Sequence, residues 1–337
     1  MINNNVFNSF NMKSSSFYMA RDLVSGREVQ ANKITEKQNT SLNPVNPWFF
    51  TGFVDGEGCF IIMISRSPRY STGWLVQLCF QLGLHERDKI LLEQIINFLG
   101  VGKIFKHGSE SVQLLVRSIY EVEKIISHLE KFSLCTEKKA DFQLWKEAYN
   151  LILNKQHLTI DGLQKIVEIK ASMNRGLSDE LKAAFPHVIP MIRPLVKNKT
   201  IENPEWLAGF VTAEGCFFVR VRKSKTKTGF RVELVFQITQ HSRDEQLMRN
   251  LIEYLKCVNI YKRTGDTFNF MVTRFEDIVE KIIPLFQKYR IEGVKSKDFE
   301  DWCKVAELMK EKKHLTEEGL EQIKKIKAKM NKGRKLN

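Results

Sequence analysis

The sequence predicts an α+β protein: a pseudo-two-fold pair of αββαββα half-domains, each a four-stranded antiparallel sheet with helices on one face. Three observations predict it. A nine-residue phrase at 50–58 returns at 207–215, an alternating strand pattern follows each copy, and a closing helical passage also occurs twice. Two copies of one phrase indicate two similar halves that meet at their repeats. The two repeated helices are therefore expected to pack at the centre.

The repeated phrase predicts a helix with small residues on one face. Gly52 and Gly56 in the first copy, and Gly209 and Ala213 in the second, lie four residues apart. Residues with this spacing fall on the same side of a helix. Without large side chains there, two helix backbones can approach each other closely.

Each helix is predicted to begin at an Asn-Pro pair, 46–47 or 203–204, and to end at a Glu-Gly pair. Proline suits the first helical position, and glycine after the last turn predicts a left-handed cap at Gly58 and Gly215. Parallel packing would bring Glu57 and Glu214 side by side. Two carboxylates at negative helix ends repel each other unless cations lie between them.

Two strands follow each phrase, and the second half shows their alternation well. Phe217, Val219 and Val221 share one face, which leaves Arg220 and Arg222 on the other, as in a half-buried strand. The partner strand at 230–238 alternates in the same way. Polar side chains of the four strands are candidate ligand contacts: Arg66, Gln77, Gln81, Arg220, Arg222, Arg231, Glu233 and Gln237.

The remaining pattern completes each half and defines the predicted domains. Helical runs to Leu99 and Leu255 are followed by two short strands and by helices that carry Lys138 and Lys295 at corresponding places. A proline-containing stretch suits a tether over the surface. The predicted domains are a leader at 1–45, half-domains at 46–176 and 204–334, and a linker at 177–203.

Composition narrows the class of partner. Lys and Arg number 53 against 39 acidic residues, a net charge of +14 with a pI near 9.4, which favours a polyanion. No apolar run approaches the roughly 20 residues that a membrane-spanning helix needs, so nucleic acid is preferred over a membrane. The six cysteines show no zinc-site spacing and suit a reducing compartment. The leader is interpreted as disordered or as a remnant of an upstream reading frame, with a matrix-targeting peptide as the alternative.

Two such sheets beside a central helix pair suit double-stranded DNA. A strand of about ten residues spans roughly 33 Å, and B-form DNA rises about 3.4 Å per base pair, so each sheet could follow on the order of ten base pairs. Arginine and glutamine can each bind a base with two hydrogen bonds in the major groove. Paired carboxylates that hold divalent cations against phosphates are suited to phosphodiester hydrolysis.

The stretches at 50–58 and 207–215 resemble the defining motif of LAGLIDADG homing endonucleases, in their single-chain, two-motif form. The span from about 46 to 334 is similar to the I-OnuI-like branch, especially in its closing passage of Asp298-Phe299, His314-Leu315-Thr316 and Met330 to Arg334. The family name spells the eighth motif position as Asp, whereas both copies here carry Glu. The sixth positions differ as well, with Asp55 against Thr212, and capping or packing is expected of Asp55.

The resemblance implies two sheets that form a DNA-binding saddle, and cleavage of both strands across a minor groove to leave short 3′ overhangs, in service of intron mobility. It implies Mg²⁺, with Mn²⁺ or Ca²⁺ able to occupy the same sites, bound by Glu57, Glu214 and the carbonyls of Gly56 and Ala213. It also implies a monomer in fungal mitochondria. Lys138 and Lys295 are candidates for stabilising phosphate charge or activating water, with a plain solvated role as the alternative. Gln81 and Gln237 are candidates for positioning water near the metals, with plain base contacts as the equal alternative.

Two other functions stay open at this point. Some proteins of this fold bind host intron RNA and act as splicing maturases, and others bind DNA without cutting it. Loss of the two acids would favour either alternative, yet both acids are present. The DNA target sequence is not readable from the chain, because side-chain contacts, water and DNA deformability set specificity together.

Overall fold

The computed structural model describes residues 44–197, 200–257, 260–262 and 265–334. The predicted leader lies outside these residues except for positions 44 and 45. Each half follows the predicted αββαββα order, and two further helices, rather than one, come after it. The first half and the linker helix comprise α1 (Pro47–Glu57), β1 (Gly58–Arg66), β2 (Trp74–His85), α2 (Lys89–Leu99), β3 (Lys103–His107), β4 (Ser111–Val116), α3 (Ile119–Lys131), α4 (Lys138–Leu153), α5 (Ile160–Ala171) and α6 (Asp179–Ala184).

The second half repeats this order with one irregular helix. A π-helical turn at Ile278–Ile282 joins α9 to α10, next to a proline near the start of α10 that cannot donate a backbone hydrogen bond. The elements are α7 (Pro204–Glu214), β5 (Gly215–Lys223), β6 (Phe230–His241), α8 (Glu245–Leu255), β7 (Ile260–Lys262), β8 (Thr267–Val272), α9 (Phe275–Asp277), α10 (Ile283–Lys288), α11 (Val294–Lys310) and α12 (Glu317–Ala328).

Both sheets are antiparallel and have the same topology, with strand orders β1-β2-β4-β3 and β5-β6-β8-β7. The predicted alternation is confirmed, since Phe60 pairs with Phe80 and Phe217 pairs with Phe236, all fully buried. Trp145 and Trp302 pack on these pairs and donate to strand carbonyls of β1 and β5. The helices therefore cover one side of each sheet. We call the opposite side, which carries Gln77 and Arg220, the open face.

The motif helices α1 and α7 pack in parallel at the centre. A Cβ atom on Gly52 would lie 1.9 Å from the Trp206 carbonyl oxygen, and one on Gly56 would lie 2.2 Å from the Cβ atom of Ala213. Contacts thus advance along both helices in the same direction. Gly209 repeats the close approach, because its Cβ would lie 1.9 Å from the Phe49 carbonyl oxygen. The predicted close packing of the two motif helices is confirmed, and the structure shows that it is parallel.

The glycines that follow the motif helices are not left-handed, so that prediction was wrong. Gly58 and Gly215 have φ of −69° and −74° in extended conformations, because each strand starts directly at its glycine. Space explains the residue type instead. A Cβ on Gly58 would lie 2.7 Å from the Val54 carbonyl oxygen, and one on Gly215 would lie equally near Val211. The Asn46 and Asn203 caps are confirmed, with bonds of 2.8 and 2.9 Å to the first-turn amides of Trp48 and Glu205.

The linker is held against the first half along much of its length. Leu177, Phe185 and Met191 pack on the first core, and the guanidinium of Arg193 binds both carboxylate oxygens of Asp141 at 2.6 and 2.9 Å. A partly buried bidentate pair of this kind fixes the geometry of both side chains. The described part of the tether is therefore anchored rather than free.

Among the helices of the described residues, none has both the length and the apolar character needed to cross a bilayer.

Candidate active site

The two motif glutamates come together where α1 and α7 end. A Cβ atom on Gly56, the residue before Glu57, would lie 3.2 Å from the Cγ atom of Glu214. Both carboxylates also act electrostatically on Lys138 and on Lys295. The four side chains therefore form one cluster, which we call the acid–lysine cluster. The sequence placed all four residues at corresponding points of the two halves, and the fold brings them together.

Each lysine of the cluster caps the C-terminal end of its own motif helix. The Nζ atom of Lys138 donates to the carbonyl oxygens of Gly56 at 2.8 Å and Val54 at 3.1 Å. Lys295 donates to Ala213 at 2.9 Å and to Val211 at 3.2 Å. The positive charge lies where the helix dipole is negative. These ammonium groups are the cations that the paired helix ends require.

Burial and charge oppose each other in this cluster. Burial lowers the pKa of Lys138 and of Lys295, while nearby acids, including Glu57 and Glu214, act to raise it. Burial likewise raises the pKa of Glu214, while the charges of the two lysines and a hydrogen bond from Gln240 act to lower it. All four side chains keep partial solvent access. The cluster is thus a deep but open site with charges partly stripped of water.

The oxygen atoms of the cluster suit a hard divalent cation. Glu57 and Glu214 supply carboxylates, and Gly56 and Ala213 supply carbonyl oxygens at the helix ends. Oxygen donors of these two kinds are those that Mg²⁺ and Ca²⁺ prefer, and both ions accept water or phosphate oxygen for the rest of their shell. In the described part of the chain, no group of three or more His, Cys, Asp or Glu side chains gathers as a metal site. A metal here would therefore share its shell with solvent or substrate.

Gln81 and Gln237 lie next to the cluster on the open face. Gln81 pairs in register with Cys59, two residues after Glu57, and only 5% of its surface is exposed. Gln237 pairs with Cys216, and its amide donates to the Thr239 hydroxyl at 2.9 Å. The sheet register thus places both amides beside the ends of the motif helices.

The open face of the second sheet concentrates positive charge. Arg222 and Arg231 are exposed and lie directly opposite each other in the register of β5 and β6. Arg220 pairs with Glu233 at 3.2 Å in the adjacent position. Like charges directly opposite each other destabilise a strand pair, so this surface favours an anionic partner. In the first sheet, Gln77 is exposed on the corresponding face.

Arg66 does not join this surface. It lies an even number of residues from the buried Phe60 and Ile62 and therefore shares their face, the helix-covered side, at the end of β1. Its Nε atom donates to Glu180 of the linker helix at 3.2 Å, and its guanidinium lies 4.9 Å from the Trp74 ring. The predicted ligand contact at Arg66 is therefore not supported, because the strand alternation turns its side chain toward the linker.

Several residues around the cluster have no counterpart that the sequence repeat could reveal. Gln240, which binds Glu214, corresponds to the apolar Leu84. Arg193 holds Asp141, whereas the equivalent Asp298 is held by Arg334 from another part of the chain. A residue that differs between the copies carries no signal in a repeat, so only the fold identifies it.

The sequence is similar to known proteins over most of the described chain. The family described as "LAGLIDADG endonuclease" matches it twice, over residues 50–149 and 207–306. The "Probable intron-encoded endonuclease 3" of Neurospora crassa is 43% identical over 283 residues, which cover 83% of this chain and 53% of that relative. This chain therefore spans about half the length of that curated relative.

Solved structures share the whole two-half architecture. The I-SmaMI LAGLIDADG homing endonuclease, solved bound to cleaved DNA, superposes with a TM-score of 0.85 at 46% identity, covering 86% of this chain and 98% of that one. The same enzyme was solved bound to uncleaved DNA target in the presence of calcium ions, with a TM-score of 0.84, 46% identity, and coverage of 86% of this chain and 99% of that one.

Proposed function

Because this chain belongs to the LAGLIDADG endonuclease family, we propose that it is a site-specific endonuclease for double-stranded DNA. It hydrolyses a phosphodiester bond in each strand of a long target, leaves short 3′ overhangs, and so promotes the mobility of its intron. The acid–lysine cluster carries this proposal. Each half contributes one carboxylate and one lysine where the motif helices end, which suits action on one phosphate in each strand.

Glu57, Glu214 and the carbonyls of Gly56 and Ala213 would hold the divalent ions, with Mg²⁺ as the physiological metal and Mn²⁺ or Ca²⁺ able to take the same places. Bound there, such ions polarise a phosphate and lower the pKa of the attacking water. The similar enzyme that was solved with uncleaved DNA target in the presence of calcium ions supports the use of a divalent metal.

Lys138 and Lys295 place positive charge beside the phosphates. Because each ammonium is held at a helix end before substrate arrives, no reorganisation is needed when negative charge develops on the reacting group. Gln81 and Gln237 orient water at the edge of the cluster, where the sheet register places them.

The open faces bind the DNA duplex as a saddle. Arg222 and Arg231 bind phosphates, whose negative charge offsets the repulsion between the two guanidinium groups. Candidate base contacts on the same surface come from Gln77, Arg220 and Glu233. One chain supplies both halves, so the active species is a monomer. Mitochondrial function is proposed because the relatives are intron-encoded proteins of fungi.

The test is cleavage of a plasmid that carries the joined sequences flanking this reading frame. In Mg²⁺, the wild-type protein linearises the plasmid, and Glu57→Gln and Glu214→Gln do not. Binding of the plasmid without cutting by the wild type would contradict the proposal and favour a DNA-binding regulator. Specific binding of the intron RNA, with no cutting of DNA, would favour a splicing maturase.

A further inference from the structure

A short repeated sequence ends the second strand of each half. It is His85-Glu86-Arg87-Asp88 at the end of β2 and His241-Ser242-Arg243-Asp244 at the end of β6, and in each the histidine is the last strand residue. Each histidine Nδ1 accepts the amide of its arginine at 3.2 Å, which shapes a tight turn. The aspartate then stands at the N-cap position of the next helix, α2 or α8. Such a residue normally binds the first amides of its own helix.

Neither aspartate caps its own helix. Oδ1 of Asp88 instead accepts the backbone amide of Val294 at 2.7 Å, although 206 residues separate them. Oδ1 of Asp244 accepts the amide of Glu137, also at 2.7 Å. Each carboxylate therefore crosses from one half to the other. The crossing occurs in both directions with the same length.

Both recipients lie immediately before a lysine of the acid–lysine cluster. Val294 is the first residue of α11 and precedes Lys295, while Glu137 directly precedes Lys138, the first residue of α4. Carboxylates are favourable at helix N-termini, where the dipole is positive. The cross-half bonds thus fix the start of each lysine-bearing helix.

The local surroundings fit these bonds. Asp244 is 2% exposed, and Oδ2 of each aspartate faces the arginine of its own turn at 3.7 Å. Gly293, before Val294, has φ of +66°, and a Cβ there would lie 2.5 Å from Oδ1 of Asp88. Only glycine combines that backbone conformation with this close approach.

We propose that Asp88 and Asp244 are positioning residues, each of which sets the lysine of the opposite half: Asp88 sets Lys295, and Asp244 sets Lys138. The proposal rests on the proposed function of the cluster. Each lysine is then located from both sides, by carbonyls of its own motif helix and by an aspartate of the other half. Neither lysine site is complete unless the two halves are docked.

The test measures cleavage of the two strands separately, on an end-labelled duplex of the target. Asp88→Ala slows the same strand as Lys295→Met, and Asp244→Ala slows the same strand as Lys138→Met. A lysine displaced by about 1 Å can lower the rate by about ten- to a hundredfold, so nicked product accumulates with opposite polarity in the two variants. Gly293→Ala disturbs the contact from the other half and reproduces the strand bias of Asp88→Ala.

A second readout does not depend on activity. Hydrogen exchange speeds up in the peptide around residues 292–297 in Asp88→Ala, and around 135–140 in Asp244→Ala. Asp88→Asn keeps an acceptor oxygen and restores both the strand ratio and the protection. Glu93→Ala removes an exposed carboxylate from the same helix as a control and changes neither.

The proposal is overturned if an aspartate variant slows cleavage of both strands alike, slows the wrong strand, or leaves both rates unchanged. It is also overturned if hydrogen exchange rises equally in both peptides. Absence of cleavage by the wild type would contradict the proposed function instead. In that case, hydrogen exchange at the two peptides would still test whether Asp88 and Asp244 fix the starts of the lysine-bearing helices.

Discussion

The indole of Trp206 donates a 2.8 Å hydrogen bond to the carboxylate of Asp55 in the opposite half. The same carboxylate accepts the amides of Cys135 and Thr136 and the Thr136 hydroxyl, at 2.8, 3.1 and 2.6 Å. Burial raises the pKa of Asp55, and these donors oppose the shift. The corresponding Thr212 makes a weaker contact, because its hydroxyl accepts one backbone amide of its own half, that of Glu292, at 3.2 Å. Asp55 therefore joins the two halves, and its charge also acts on Lys138 of the acid–lysine cluster.

Trp206→Phe removes one donor of this junction and keeps the ring. We expect the free energy of unfolding to fall by about 1–3 kcal/mol, the usual effect of losing a partner of a buried charged group. Denaturant titration measures the loss. The control Thr212→Val removes the weaker hydroxyl contact at the equivalent place and costs less. An equal or larger loss in the control would contradict the assigned role of Asp55.

Gly52→Ala forces the motif helices apart. The added methyl group would meet the Trp206 carbonyl oxygen at 1.9 Å, and backbone cannot yield as a flexible side chain can. Overpacking of this kind costs typically about 1–3 kcal/mol or more. Gly73→Ala adds the same group where no atom lies within 4 Å, and its left-handed φ limits the cost to about 1–2 kcal/mol. Thermal unfolding and cleavage assays measure the stability and the activity of both variants. We expect cleavage to fall only in Gly52→Ala. Full activity of Gly52→Ala would contradict the close contact between the helices.

Lys138→Met and Lys295→Met remove the charges that face the phosphates. We expect each to lower the single-turnover cleavage rate by about 10²–10³-fold, as for loss of one preorganised electrostatic partner, with DNA affinity nearly unchanged. Quench-flow cleavage and gel-shift titration separate the two effects. Lys146→Met changes an exposed lysine of α4 that pairs with Glu130 and serves as the control. A rate within about twofold of wild type in both cluster variants would remove the lysines from the mechanism.

Arg222→Ala should have opposite effects on stability and on DNA binding. Relief of the repulsion from Arg231 raises the free energy of unfolding by about 0.2–1 kcal/mol, while loss of one phosphate contact reduces the salt slope of binding by about 1. Binding measured across a salt series, together with denaturant titration, tests both signs. Arg66→Ala leaves the salt slope unchanged, because Arg66 faces the linker. A lower slope in Arg66→Ala alone would reverse this assignment.

His128 makes the fold sensitive to acid. Phe50, Phe98 and Phe132 surround its ring at centroid distances of 4.9, 5.7 and 5.0 Å, and burial lowers its pKa to about 4 from 6.5. Between these values the unfolded chain binds a proton that the folded chain does not. Stability is therefore intact above about pH 6.5 and falls as the pH drops toward 4, by up to roughly 3 kcal/mol.

Unfolding of the wild type and of His128→Gln, measured between pH 7 and pH 4, tests this linkage. The neutral glutamine loses less stability on acidification, and the exposed His187→Gln behaves like the wild type. Identical acid dependence in the wild type and His128→Gln would show that His128 does not titrate in this window.

Local pattern was sufficient to predict the two halves, the close contact of the motif helices and the candidate pairs of glutamates and lysines. The spacing of Gly52, Gly56, Gly209 and Ala213 predicts the contact, because helical periodicity alone decides which residues share a face. Because the sequence repeats, each candidate residue has a counterpart in the other half. Glu57 corresponds to Glu214, and Lys138 corresponds to Lys295. The strand faces follow from alternation along their length, and the same alternation places Arg66 on the helix-covered side at the end of β1.

Only the tertiary structure decided how the halves hold each other. Asp88 reads as a cap for its own helix, and nothing near it in sequence indicates Val294, because a contact across 206 residues depends on how two finished halves dock. The extended conformation of Gly58 depends in the same way on where the next strand starts. Short-range periodicity determines the secondary-structure elements and their buried faces. The docking of the two halves determines which carboxylate, amide and ammonium groups meet, because such contacts require proximity in three dimensions, which no local pattern encodes.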